Sequence, residues 1–255
     1  MSIRPEERRT ANEYDRLLRE GSLARAVLRI GRGSLGTYLF NTPVLDVPRE
    51  VGLQPGHRVL DLGCGSGGMA QLLAARSGLR HDPVGIDVSR AMLDAAAHNL
   101  GPDRRVELVA GGASRLPFAD ESFHLVLAAH LFRYLEDDTL YRVLLEVHRV
   151  LKPGGILLGW EFAPTRSRRL NRLHAWLLTS RIKTCRLRGF GALAPYAVEI
   201  GFRHTDRLLL RLPFLFPPIP RVAVMFQKAR DGAGDAPAAD GRLAARFAEA
   251  GQDGC

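Results

Sequence analysis

The chain has 255 residues, 46% hydrophobic and 25% charged, a balance that supports a sizeable buried core and excludes a disordered or fibrous chain. Three cysteines, Cys64, Cys185 and Cys255, are too few and too scattered for a disulfide framework, and no run reaches the ~18 uninterrupted apolar residues of a membrane-spanning helix. The net charge of +9 is local: Arg166 to Arg188 holds eight basic residues and no acidic one, so this window alone supplies +8.

The densely charged first twenty residues lack the apolar centre of a secretion signal, and the sparse cysteines favour a reducing, cytoplasmic setting. From Pro5 to Ile30, Tyr14, Leu17, Leu18, Leu23, Val27 and Ile30 recur at helical spacing, which predicts one or two amphipathic helices. A glycine-rich stretch follows, so residues 1–50 read as a helical cap before the main domain.

Short apolar runs then alternate with helical patterns. The predicted strands are 58–63, 83–88, 106–111, 123–130 and 155–162. Between them the pattern predicts helices over 68–78, over 89–101 with Ser89 as N-cap, and over 137–155, where Pro-Gly-Gly stops the last. Such alternation predicts an α/β fold, a mostly parallel sheet with helices on both faces. A helix near Ala192–Ile200 and two β-like runs, 203–212 and 220–228, suit an antiparallel pair closing the sheet edge. The main domain is thus expected over 51–229, with a basic insertion or lid at 163–190. From residue 230 the Ala-, Gly- and Asp-rich chain reads as a disordered tail with one helical turn near Leu243–Ala250.

The chemistry concentrates in VLDLGCGSGG, Val59 to Gly68. A buried strand enters a glycine turn that opens a helix, and the helix N-terminus offers unpaired N–H groups and partial positive charge to an anionic group. Gly63, Gly65 and Gly68 also satisfy the dinucleotide pattern G-x-G-x-x-G, and Asp87 follows at the distance where a carboxylate accepts ribose hydroxyls, so a nicotinamide dinucleotide competes as ligand. Asp61 favours the other choice: just before the glycines, its charge would oppose a pyrophosphate and attract a cationic group. Cys64 has no adjacent base and reads as a packing residue. The eight histidines show no metal-ligand spacing, so no metal is expected. Only His130, at the end of the fourth strand, falls where open α/β sheets bind ligands, with Arg133 and Tyr134 close behind.

These residues resemble the class I S-adenosylmethionine-dependent methyltransferases, particularly the small-molecule branch of ubiquinone and menaquinone biosynthesis. VLDLGCGSGG looks like the first motif and GIDVS (85–89) the acidic second. SRLPFADESF (114–123) resembles the stretch before the fourth strand, and HRVLKPGG (148–155) the end of the helix before the fifth. The resemblance implies a Rossmann-like seven-stranded sheet with one reversed edge strand and S-adenosyl-L-methionine as cofactor. It implies cofactor contacts from Asp61, Gly63, Cys64, Gly65, Gly67, Asp87, Val88, Gly112, Ala113 and Ala128. The family usually has an acid contacting the adenine amino group where this chain has Gly112, and an aspartate where it has His124.

Methyl transfer needs positioning more than a dedicated base, so the catalytic residues are unassigned, with His130 and Tyr134 as candidates. AAHLFRYL after the fourth strand lacks the tetrad of nucleic-acid base methylation, so nucleic acid is disfavoured and a small, hydrophobic or lipid-like organic acceptor is expected. A protein that holds the cofactor without turnover, and an NAD-dependent oxidoreductase, are the alternatives. In the basic segment Leu170, Leu173, Leu177 and Trp176 form an apolar stripe among arginines if helical. That suits either a lid or peripheral contact of 166–188 with an anionic membrane.

Overall fold

The structure, a computed structural model, describes residues 3–19, 51–102, 105–162, 167–172, 190–205 and 221–230. The predicted second N-terminal helix, the strand continuation at 206–212, most of the basic segment and the C-terminal tail lie outside them. Helix α1 spans Pro5–Arg19. Then come β1 (Val59–Leu62), α2 (Gly68–Arg76), β2 (Val84–Asp87), α3 (Arg90–Leu100), β3 (Glu107–Ala110) and β4 (Phe123–Ala129). A short 3-10 turn at Phe132–Tyr134 precedes α4 (Asp137–Val150), β5 (Leu151–Phe162), α5 (Phe190–Ile200), β6 (Phe202–Thr205) and β7 (Arg221–Lys228).

The seven strands form one sheet in the order β3-β2-β1-β4-β5-β7-β6, with β1 to β5 parallel and β7 antiparallel to both of its neighbours. The expected α/β architecture is present. β7 is inserted between β5 and β6, so the closing pair does not simply append to the edge. The period of two sorts side chains between faces. Val126 and Ala128 join Leu140, Leu144, Leu193 and Ala197 of α4 and α5, whereas Leu125 and Leu127 join Met69 and Leu73 of α2. Helix α3 packs beside α2 through Ala96 and Leu100 against Ala70. A strand buried on both faces is apolar at nearly every position, which is why β1 and β4 read so clearly despite Asp61 and His124.

Ser89 caps α3 as expected, its Oγ accepting from Met92 N at 3.1 Å. Pro-Gly-Gly does not end α4. The helix stops at Val150, and Leu151 already pairs with Phe123, whereas Leu125 pairs with Ile156. Two steps along β4 thus match five along β5, and Pro153, Gly154 and Gly155 form the bulge between, with Gly154 at φ +76°. Gln227 Nε2 donates to Gly154 O and Lys228 Nζ to Leu151 O, both at 2.9 Å, so β7 holds the bulge in place.

Below the N-terminal ends of β1 and β4, the His57 and His124 rings stack with centroids 4.4 Å apart. His124 Nδ1 accepts from Arg58 N at 3.0 Å. Burial, followed by the positive charges of His57, Lys152, Arg58 and His81, pushes the His124 pKa down to about 4; burial also lowers that of His57. The His124 ring is therefore neutral in the fold at pH values where an unfolded histidine, near 6.5, takes a proton. Its stabilisation is present above pH 6.5 and is lost as pH falls toward 4. Denaturant midpoints should decline over this window, and His124→Asn should flatten the decline. An unchanged pH slope in the variant would remove His124 from this account.

Candidate active site

The sheet order reverses direction between β1 and β4, opening a crevice at their C-terminal ends where ligands bind in open α/β sheets. The loop after β1 is shaped by β2. Gly63 N and Cys64 N both donate to Ile86 O, at 2.8 and 3.0 Å, and Gly65 N donates to Asp87 Oδ2 at 2.9 Å. Gly63, Gly65 and Gly67 have φ of +74°, +52° and +79°, a region that side chains strain. Their surroundings separate their roles. A β-carbon at Gly67 would lie 3.0 Å from Leu100 and 3.3 Å from Ala96, so this glycine lets α3 pack closely. Gly63 and Gly65 instead lie under Leu131 and Met92, whose side chains were not anticipated at the site.

Asp61 is 1% exposed at the end of β1. Its carboxyl receives a hydrogen bond from the Ala70 backbone in the first turn of α2, whereas Oδ2 has no hydrogen-bond partner. Burial, with a further contribution from the Asp87 charge, pushes its pKa up to about 7. A buried carboxyl oxygen without a donor is costly and suits a cationic ligand. Asp87 Oδ1 accepts from Ser89 N at 2.8 Å, and a carboxylate has lone pairs left for ribose hydroxyls. Val88 is half-buried between these two residues. Burial and the charges of Asp61 and Asp87 push the Cys64 thiol well up, while its side chain fills the space over Gly85, where a β-carbon would come within 3.0 Å. Cys64 is thus a packing residue.

At the end of β3, Ala110, Gly111 and Gly112 floor a cavity of about 230 Å³, with Ser114 and Arg115 at its side and Ile3 and Glu7 contributed by the N-terminal segment. Gly112 and Ala113 are buried. Glu7 is 5% exposed; it accepts from Ser114 N at 3.0 Å and from Ser114 Oγ at 2.6 Å. Helix α1 is fastened across the crevice at three further places. Arg4 Nη1 donates to Asp138 Oδ2 at 2.6 Å, Tyr14 and Tyr134 share a hydroxyl hydrogen bond of 2.8 Å, and Ser89 Oγ donates to Asp15 Oδ1 at 2.5 Å. Thr139 Oγ1 also donates to Glu6. Tyr134 therefore holds α1 rather than lying open in the crevice.

His130 follows β4 with φ +58°, a left-handed backbone that costs a side-chain-bearing residue about 1–2 kcal/mol. Its backbone N donates to Trp160 O at 2.9 Å, so β5 holds the strained turn. Glu161, 1% exposed on β5, accepts from Arg133 N at 3.3 Å through Oε1; its Oε2 lies 3.8 Å from Arg133 Nη1 and 3.9 Å from His130 Nδ1. The structure thus gathers His130, Arg133 and Glu161, of which Glu161 was not anticipated. Its signal was a lone acid in the apolar run GILLGWEF. Glu7 carried no such signal, because Glu6 and Glu7 read as first-turn acids favoured by the helix dipole. Ala128 is fully buried in the core shared with α4.

The crevice thus offers a donor-rich helix N-terminus beside an under-satisfied acid, a second acid at ribose distance along the sheet, and a cavity beyond. That set fits a ligand with both an amino-acid end and a nucleoside end. Residues 59–155 match the family model described as a methyltransferase domain. A 24-methylenesterol C-methyltransferase 2 of Oryza sativa subsp. japonica is 37% identical over 171 residues, 64% of this chain and 46% of that protein. A demethylmenaquinone methyltransferase of Lysinibacillus sphaericus is 34% identical over 116 residues, 46% of this chain and 49% of that protein. The chain spans about half the length of these relatives. Among solved structures, a SAM-dependent methyltransferase of Methanosarcina mazei superposes with TM-score 0.59 at 23% identity, over 70% of this chain and 95% of that one, a likeness of fold. Matched domain, strand order and the acid-flanked glycine turn agree, and residues 59–155 are similar to the methyltransferase-domain family.

Proposed function

We propose that this protein is an S-adenosylmethionine-dependent methyltransferase acting on a small, hydrophobic or lipid-like organic acceptor. The observation that carries the reading is Asp61, a buried acid with one oxygen lacking a donor, set beside the glycine turn. It suits the ammonium end of S-adenosylmethionine and opposes a dinucleotide pyrophosphate. Gly63, Gly65 and the N-terminus of α2 would receive the carboxylate of the cofactor, Asp87 and Val88 its ribose, and Gly112 and Ala113 its base; Cys64, Gly67 and Ala128 shape the site from behind. The cofactor supplies a methyl group already activated on a sulfonium. The protein's tasks are then to align the acceptor and exclude water. The relatives' names support a small acceptor: one is a sterol C-methyltransferase, the other a demethylmenaquinone methyltransferase. We assign the catalytic domain to 51–229, capped by 1–50 and carrying a lid at 163–190.

Within this reading His130 contacts the acceptor. A guanidinium only donates, so with Arg133 Nη1 at 3.3 Å the neutral ring accepts at Nδ1 and carries its proton on Nε2. In that state His130 donates to an acceptor oxygen. If Nδ1–H turns to Glu161 instead, Nε2 takes the acceptor's proton and the buried carboxylate stabilises the imidazolium. Glu161 is a positioning residue.

The basic segment supports a peripheral contact with an anionic membrane. Ser167 opens a helical turn there: its Oγ accepts from Leu170 N at 3.3 Å, and its carbonyl accepts from Asn171 N at 2.9 Å. Arg168, Arg169 and Arg172 on that turn are exposed, while Leu170 is half-buried. Among the described residues no helix is long and apolar enough to cross a membrane.

Three measurements test these assignments. Calorimetry should detect S-adenosylhomocysteine and not NAD; the reverse would overturn the proposal. Because the pKa of Asp61 is about 7 and the ligand needs the ionised form, affinity should fall roughly tenfold between pH 8 and pH 6. Asp61→Asn should bind weakly and lose that slope, and a slope retained in the variant would assign the titration elsewhere. For the acceptor side, His130→Ala should stay folded yet lose roughly 100-fold or more in kcat. Glu161→Gln should lower kcat with little change in KM, because the carboxylate 3.8 Å from Arg133 and 3.9 Å from His130 orients both side chains; unchanged kcat would leave Glu161 a purely structural acid. Finally, flotation with anionic vesicles should show binding that weakens with salt and disappears when Arg168, Arg169 and Arg172 become Glu. No binding at low salt would leave the segment as a lid alone.

A further inference from the structure

We infer that Glu7, delivered by α1, is the group that reads the amino substituent of the cofactor's base. The inference rests on the reading that the glycine turn and Asp87 hold S-adenosylmethionine. In the order β3-β2-β1, a ligand reaching from Asp61 on β1 past Asp87 on β2 meets the end of β3 next. There a cavity is floored by Ala110, Gly111 and Gly112, residues with little or no side chain. They leave room for a flat ring and offer no charged group of their own.

The charged group comes from elsewhere. A β-carbon built on Gly112 would lie 2.8 Å from Glu7 Oε2 and 3.0 Å from Oε1. The carboxylate of α1 therefore occupies the space that a side chain rooted at position 112 would fill. Ser114 fixes it from N and Oγ, and Arg4 N adds a contact of 3.3 Å to Oε2. These donors orient the carboxylate within the cavity wall without using all of its lone pairs. A carboxylate only accepts, so among flat bases it selects one with an exocyclic N–H donor at this edge. Gly112 and Glu7 are two halves of one arrangement: the strand gives up its side chain, and the helix supplies the acid.

The test compares S-adenosylhomocysteine with its deamino analogue, in which hydrogen replaces the 6-amino group, by calorimetry on the full chain. The wild type should prefer the amino form by roughly tenfold or more, the worth of one hydrogen bond to a charged group. Glu7→Ala should weaken both ligands if α1 loosens, but the ratio should fall to about one. The ratio isolates base reading from the helix's structural role. Glu7→Ala with Gly112→Asp should restore the preference, because the acid returns to the same place from the strand. A wild-type ratio near one, or a Glu7→Ala ratio equal to the wild type's, would overturn the assignment. The wild-type ratio decides even if the single variant fails to fold. If the wild type binds neither ligand, the cofactor reading itself falls and takes this assignment with it.

Discussion

One carbonyl organises the cofactor side of this molecule. Ile86 O, on the last turn of pleat before Asp87, accepts from both Gly63 and Cys64, and the next residue's carboxylate accepts from Gly65 and Ser89. The loop after β1 is therefore cast against the end of β2, and Gly67 N donating to Cys64 O at 2.9 Å closes it internally. Everything nearby follows from that casting. Gly85 must lack a side chain so that Cys64 can lie over it, and the three left-handed glycines turn the chain sharply enough for α2 to start where its N-terminus meets the crevice. Because β1 is paired on both edges, the mould cannot shift without breaking the centre of the sheet.

The same region carries unfavourable terms. A carboxyl held near 7 instead of its usual value weakens the fold by about 4 kcal/mol above neutrality, since the group would ionise freely on unfolding. That is comparable to the burial of two leucine side chains. His130 adds a left-handed backbone, and Glu161 a nearly fully buried acid. The layers beneath, with Leu60, Leu62, Val126 and Leu127 wholly inaccessible, offset these costs. At the crevice, strain at His130 sits beside the buried acids Asp61 and Glu161.

Sheet and helices were legible where burial on both faces leaves no choice of residue, as in β1, β2 and β4. Edge strand β3, half exposed, was legible from its β-branched and aliphatic run even though it buries little. Pro-Gly-Gly misled because the same residues that stop a helix also build a bulge, and only pairing with β4 and β7 decides between them. Spacing alone does not reveal that Gly67 also lets α3 pack closely, because the contact with Leu100 and Ala96 is made only in three dimensions. Glu161 was visible in principle, a lone acid in an apolar strand. Glu7 was not, since its partner Ser114 lies 107 residues away and no local pattern links the two.

Helix α1 lies outside the sheet, yet it is fastened to the β3 loop, the start of α3, the turn after β4 and the start of α4. It therefore joins four segments that otherwise move with separate strands. Any molecule it covers is bound only by the fraction of chains whose helix is docked, so the observed affinity equals the intrinsic one scaled by that fraction. Residence time then becomes a property of the helix: a covered ligand leaves no faster than α1 lifts, whatever the strength of its own contacts below.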